Sequence, residues 1–380
     1  MPADLIEADF AEIFRRDVPL LDVRSPVEFA RGAFPASRNI PLLSDDQRGE
    51  IGTLYREQGG AAALALGHRL VGGEARERLI GRWRAYVRAN PQARLYCFRG
   101  GQRSHIAQGW LAERGVAIPL VPGGYKALRN FLLAVLEQAS RKRLLVVAGK
   151  TGCGKTHLIN ALPGAIDIEG AARHRGSAFG ALPEPQPGQI DFENRLAVAA
   201  LKLGFESLPA LIVEDEGRSV GSLAIPHGLF KTMQRAPIAL VEEGLESRVE
   251  TILRDYILAN LAAWESHCPG EGGARLEQSL LAGLDKIRRR LGGGNHEAAG
   301  KLMRRAFAAA GAERIERHRE WIALLVENYY DPMYEYQLAG KLPRIAFRGT
   351  REEVAQWCRD YLSSYCSSSC PPSSSSRAMA

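Results

Sequence analysis

Leu144-Leu-Val-Val-Ala-Gly-Lys-Thr-Gly-Cys-Gly-Lys-Thr156 decides how the chain is read. Leu144 to Ala148 is an unbroken apolar run suited to a buried strand, and a glycine-rich loop follows at once. From Gly149 the residues fit G-x-x-x-x-G-K-[ST], with a helical pattern beyond. In that setting the loop backbone, shaped by Gly149, Gly152 and Gly154, wraps a di- or triphosphate with its N–H groups. Lys155 neutralises the phosphates, and the Thr156 hydroxyl is placed to ligate Mg²⁺. Cys153 occupies a position the motif leaves free and is assigned no chemistry. The motif does not tell ATP or GTP from another diphosphate.

Downstream, Leu211-Ile-Val213 reads as a second buried strand ending in Glu214-Asp-Glu216. Such folds place a metal-organising acid there, so one of Glu214, Asp215 and Glu216, with Glu214 and Asp215 the first candidates, is expected to orient Mg²⁺ or a water. Pro237 to Val241 is a third strand. Beyond Glu246 the pattern is helical almost to Tyr361, broken at Pro269-Gly-Glu-Gly-Gly273 and Gly292-Gly-Gly294. Residues 139–362 therefore read as a P-loop NTPase-like α/β domain with a helical C-terminal region. Residues 363–380, rich in Ser and Pro and holding Cys366 and Cys370, are expected to be disordered.

Upstream, residues 1–138 alternate β-like runs, at Pro19 to Arg24 and Arg94 to Cys97, with helical patterns such as Ser104 to Glu113. Strands alternating with helices argue for a second parallel α/β domain. A helix over Ala127 to Ala139 is the natural linker. Within this part, Cys97-Phe-Arg-Gly-Gly-Gln-Arg-Ser104 follows a strand and precedes a helix. Gly100 and Gly101 let backbone N–H groups turn inward on the thiol, and Arg99 and Arg103 add charge. Ser104 is a plausible helix cap. Each effect favours thiolate over thiol, and the same cradle suits a tetrahedral anion held against sulfur. Five residues between Cys97 and Arg103 are also the spacing of Cys-based phosphatases, which leaves phosphoryl chemistry as an alternative.

The balance of 50 Lys plus Arg against 43 Asp plus Glu gives +7, permitting an anionic partner without proving one. Only nine of the basic residues are Lys, and guanidinium groups suit phosphate recognition. At 46% hydrophobic and 24% charged residues, a wholly disordered or fibrous chain is excluded. No apolar run is long enough to span a bilayer, and the acidic start does not read as a signal peptide, so a cytoplasmic location is expected. The scattered Cys residues then read as reduced thiols. His105, His157 and His174 lack metal-ligand spacing, so no zinc site is expected. Between Asp285 and Arg305, seven Lys and Arg face only Asp285 and Glu297, a stretch able to track nucleic-acid phosphates. Tyr329, Tyr330, Tyr334 and Tyr336 suit either core packing or stacking on an unpaired base.

The segment Leu20 to Pro41, with Asp22-Val-Arg24, Glu28-Phe29 and Asn39-Ile-Pro41, resembles rhodanese domains. In that family the positions of Asp22 and Arg24 support the active-site loop. Such a domain joined to a P-loop domain, with Val213-Glu-Asp-Glu-Gly-Arg218 and Tyr329-Tyr-Asp-Pro-Met-Tyr334, resembles the tRNA 2-selenouridine synthases. The resemblance covers roughly residues 5–360. It implies a transferase that replaces the sulfur of wobble 2-thiouridine in tRNA with selenium, with selenophosphate as donor. It further implies an S-geranylated intermediate made from geranyl diphosphate held at Gly149, Gly154, Lys155 and Thr156. Cys97 would carry selenium or handle selenophosphate, and a selenophosphate-supplying enzyme is an implied partner. The alternative is an NTP-dependent kinase or ATPase, or a Cys-based phosphatase, with a rhodanese-like module.

Overall fold

A computed structural model describes residues 10–367. The chain divides into two units: residues up to Gln138 with Gly188–Lys202, and Ala139–Pro187 with the chain from Leu203 onward.

In the first unit, β1 (Leu20–Asp22), β2 (Ser37–Asn39) and β3 (Arg94–Tyr96) form a parallel sheet in the order β2-β1-β3. Leu20, Leu21, Leu95 and Tyr96 are fully buried, which is why these runs are apolar rather than alternating. Helix Gly73–Ala89 buries Leu79, Ile80, Trp83 and Val87, a stripe at helical spacing, and Trp83 Nε1 donates to the Ile40 carbonyl at 2.9 Å. Helix Gln189–Lys202 belongs to this unit although it lies inside the stretch read as P-loop domain. Asn194 Nδ2 donates to the Ala33 carbonyl at 2.7 Å, and Asp191 accepts from the Ala33 amide at 2.6 Å. Its amphipathic pattern shows that a face is buried, but not against which partner.

In the second unit, β4 (Leu144–Gly149), β5 (Ala165–Ile166), β6 (Leu211–Glu214), β9 (Ile238–Val241) and β10 (Ile345–Gly349) are all parallel, in the order β10-β9-β4-β6-β5. A short antiparallel pair, β7 (Ser219–Val220) and β8 (Leu223–Ala224), lies apart. Every residue of β4 is buried. The chain leaves β4 with β6 on one side and β9 on the other, the switch point beyond whose carboxyl ends such sheets bind ligands. The helical region contains one element that the periodicity did not suggest: β10 interrupts it. This edge strand is only partly buried and pairs with β9 alone. The break at 292 is a single residue, Gly292 with φ 84°, between helices Gly272–Leu291 and Gly293–Ala308.

The final helix, Arg351–Ser367, extends into the segment expected to be disordered, so 363–367 are helical. The remainder of that segment, with Cys370, lies outside the described residues. No helix among the described residues is long and apolar enough to cross a membrane.

Candidate functional site

The loop after β4 enters helix Lys155–Ala161 through Gly154, whose φ of 82° is a left-handed conformation that a side chain would strain. Lys155 Nζ donates to the Gly149 carbonyl at 2.5 Å. Burial opposes its charge, but Cys153, Tyr334, Glu216 and Glu169 outweigh that and raise the ammonium above its ordinary value. Thr156 Oγ1 donates to Glu169 Oε2 at 3.1 Å. Glu169, Glu214 and Glu216 each bring a carboxylate oxygen within 4.8 Å of the others. Glu214 is 1% exposed, and its Oε1 has no hydrogen-bond partner. Burial, reinforced by Glu169, Asp167 and Glu216, pushes its carboxyl well above the usual range. Burial, then Glu169, lifts Glu216 to about 8 against the pull of Lys155.

A buried carboxylate oxygen without a partner, flanked by two more carboxylates and a threonine hydroxyl, is an all-oxygen donor set that fits a hard divalent cation. Of the sequence candidates, Glu214 joins this cluster. Asp215 does not, because both its oxygens accept from Lys341 Nζ, at 2.8 and 2.7 Å.

These groups open on a cavity of about 740 Å³. Lys286, Arg289, Arg290 and Arg175 make part of its wall cationic, while Tyr256, Tyr330 and Tyr334 make part aromatic. The basic stretch therefore splits: Lys286, Arg289 and Arg290 line this cavity, whereas Arg288, Lys301 and Arg304 line another of about 620 Å³. Tyr256 and Tyr330 lie in widened helical turns, Leu253–Leu258 and Val326–Tyr330, a distortion common at functional sites. Tyr329 and Tyr330 also pack in the hydrophobic cluster, while Tyr336 is exposed.

Asp331, next to these tyrosines, pairs with buried Arg248 at 2.5 and 3.0 Å. Arg248 Nε in turn donates to the Thr151 carbonyl at 3.0 Å. Lys150 Nζ reaches Asp331 at 3.3 Å and Glu335 at 2.7 Å. The Tyr329–Tyr334 motif thus holds the loop from behind.

In the first unit, Cys97 is buried at the end of β3. Its Sγ lies 3.3 Å from Ser104 Oγ and 3.9 Å from the Gly101 carbonyl. The loop is fixed from below: the Tyr125 amide donates to the Cys97 carbonyl and the Lys126 amide to the Phe98 carbonyl. A Cβ on Gly124 would stand 2.3 Å from the Cys97 oxygen, so only glycine allows this approach. Asp22 and Arg24 are fully buried and paired, with Nη2 2.7 Å from Oδ2. The Arg24 guanidinium lies 3.8 Å from the Tyr125 ring centre and donates to the Glu28 and Gly32 carbonyls. That arrangement is a brace behind the loop.

The arginines of the loop are not turned on the sulfur. Arg103 is engaged by Glu28, at 2.5 and 3.2 Å, and Arg99 is exposed. Ser104 does not cap the helix Gln102–Ala112. Gly101 is the cap residue, and the Ser104 hydroxyl sits inside the first turn, 2.9 Å from the Gly101 carbonyl. Burial works against Glu28, but Arg103, the Ser25 amide and Arg48 together hold its carboxyl down at about 2. Glu28 and Glu169 are the functional candidates that sequence reasoning missed. Glu28 lies within the rhodanese-like segment Leu20 to Pro41, whereas Glu169 gave no local signal.

A fully buried parallel strand opening into a glycine-rich loop at the switch point, with acids beside its threonine, defines a phosphate-loop protein. The family model described as the tRNA 2-selenouridine synthase AAA domain matches residues 142–365. A tRNA 2-selenouridine synthase of Azotobacter vinelandii is 47% identical, covering 93% of this chain and 96% of that protein. One of Hahella chejuensis is 46% identical, covering 93% of each. A solved N-terminal domain of a putative ATP/GTP binding protein from Clostridium difficile is 33% identical over 31% of this chain and 90% of its own, with a TM-score of 0.29. The chain belongs to the tRNA 2-selenouridine synthase family.

Proposed function

We propose that this protein converts 2-thiouridine of tRNA into 2-selenouridine in two transfers. In the first, the thiocarbonyl sulfur attacks the allylic carbon of geranyl diphosphate; a C–S bond forms, the C–O bond breaks and diphosphate leaves. Lys155 and the loop amides bind that diphosphate, and the Thr156 hydroxyl faces the same end of the cavity. Mg²⁺ held by Glu169, Glu214 and Glu216 would neutralise charge on the leaving diphosphate. What most supports the reading is that Lys155 and Thr156 open on one cavity with cationic and aromatic walls, suited to a diphosphate bearing a hydrocarbon.

The second transfer uses selenophosphate at Cys97. Selenium there is already at the selenide level, so capture as a Cys–Se bond would need an oxidant. Attack of the Cys97 thiolate on phosphorus needs none. The P–Se bond breaks, selenide leaves, and water later hydrolyses the S-phosphocysteine. Selenide adds at C2 of the uridine; the C–S bond breaks and geranyl thiolate departs with the electron pair and takes up a proton. The thioether sulfur is a better leaving group than the thiocarbonyl it replaces. An enzyme supplying selenophosphate is the implied partner.

The test incubates the full chain with thiolated tRNA, geranyl diphosphate and selenophosphate, with nucleosides read by mass spectrometry. S-geranyl-2-thiouridine without selenophosphate, and 2-selenouridine with it, are expected. Phosphoryl transfer from ATP at an enzymatic rate, with neither nucleoside formed, would replace this reading with that of a kinase or ATPase.

A further inference from the structure

Beside the Cys97 loop the first unit holds a second, apolar pocket of about 100 Å³ that neither transfer above uses. It exists because helix Asp45–Leu70 is broken at Gly59, where φ is 82°. The two arms fold toward each other, so that Ile51 Cδ1 of the first lies 3.6 Å from where a Cβ on Gly67 of the second would stand. The floor is core: Leu42, Leu43, Val71, Ile106 and Trp110. The mouth carries Tyr55, 58% exposed, and Leu64, 38% exposed, among the few large apolar side chains left open to water.

One end of the pocket is made by Gln102 and Arg103, the residues that close the Cys97 loop. The pocket is therefore continuous with the segment that carries the thiol, and Cys97 itself belongs to the same apolar cluster as Trp110 and Val71. Gln102 and Arg103 make that end polar, while Leu42, Leu43, Ile51, Leu64 and Ile106 make the rest of the wall aliphatic. That division suits an occupant with a polar group at one end and a branched hydrocarbon at the other. A void lined this way favours an apolar group over water.

We infer that this pocket seats the isoprenoid chain of the S-geranylated uridine while its C–S bond is exchanged at the Cys97 site. The inference rests on the geranylated intermediate proposed above. It makes the first unit selective for a prenyl thioether over unmodified 2-thiouridine, and it places the departing thiol in an apolar site.

The experiment offers the full chain, with selenophosphate, two anticodon-stem RNAs carrying S-geranyl- or S-methyl-2-thiouridine. Wild-type protein is expected to selenate the geranyl RNA faster. Ala63→Phe, which fills the pocket, should cut that preference by roughly tenfold or more, as loss of apolar fit does elsewhere. Leu64→Ala, at the exposed mouth and harmless to the core, should cut it less. An unchanged preference in both variants overturns the inference. In a second arm, equilibrium binding of the S-geranyl-2-thiouridine nucleoside is compared between wild type and both variants. Weaker binding by the variants supports the pocket, and equal binding overturns it. Absence of selenation by wild type, with binding still sensitive to Ala63→Phe, would refute the reaction scheme and leave the pocket standing.

Discussion

Cys97 Sγ and Ser104 Oγ are 3.3 Å apart, and the Ser104 hydroxyl is also 2.9 Å from the Gly101 carbonyl. A hydroxyl has one proton to give. With the thiol protonated, the S–H donates to Oγ while Oγ donates to Gly101. When the thiol ionises, the hydroxyl is free to rotate and donate to sulfur instead. Ser104 thus supplies the charge-assisted hydrogen bond that Arg99 and Arg103, as placed, do not.

Ser104→Ala is therefore expected to fold, since it only trims a buried hydroxyl, yet to slow selenation about tenfold, the worth of one such bond. Cys97→Ser should abolish selenation and leave S-geranylation running. Nucleoside mass spectrometry on both variants checks this. Undiminished selenation by Cys97→Ser would remove the thiol from the reaction.

Glu28 gives a pH prediction. Its carboxyl is held at about 2 in the folded chain, below its ordinary value near 4.5. A depressed folded value contributes stability that is fully present above the unfolded value and lost as pH falls from about 4.5 toward 2. Glu28 is buried but Arg48 is half open to water, so the contribution is about 2 kcal/mol after allowance for screening. Glu28→Gln should lower the melting temperature at pH 7 and flatten its dependence between pH 5 and pH 3. Parallel curves for the two proteins would show that the ion pairs contribute nothing.

The carboxylate cluster makes a prediction about cations. A divalent cation held in the folded chain where Glu169, Glu214 and Glu216 converge would stabilise it by mass action, so Mg²⁺ or Mn²⁺ should raise the melting temperature of the wild-type chain. Glu214→Gln keeps the volume but cannot ionise to ligate a cation, and the cation response should disappear. An identical response in that variant would place the ion elsewhere. Lys155→Ala should weaken inorganic diphosphate binding by roughly tenfold or more, as expected for loss of a charge-assisted contact.

How much of this was legible in the sequence follows from how local each signal is. The β4 strand, its loop and Lys155 were legible because an apolar run and fixed glycines are contiguous. Cys97 and its glycines were legible for the same reason. The partners were not: Glu28 meets Arg103 from 75 residues away, and Glu169 reaches Thr156 on the short helix Ile168–Ala172 behind the edge strand β5. Arg103 looked like a charge for the sulfur because its counter-ion could not be seen. β10 was hidden because a five-residue edge strand has only one neighbour to bury it and carries Arg348 on an open face.

Asp331 offers the last test, because it holds the phosphate loop through buried Arg248 and through Lys150 of the loop itself. The guanidinium is 3% exposed on its side chain and spans Asp331 and the Thr151 carbonyl. Asp331→Asn leaves Arg248 buried with its charge uncompensated, and breaking such a pair costs about 3 kcal/mol. Part of that cost should appear as a loosened Thr151 turn, so diphosphate affinity falls while the chain remains folded at low temperature. Arg248→Lys restores the charge but not the fork that reaches both partners, and it should recover stability better than diphosphate affinity. Calorimetry for binding, with thermal melting for stability, separates the two. If affinity and melting temperature fall in strict proportion across both variants, Asp331 is a structural residue and the loop takes its shape from Gly149 and Gly154 alone.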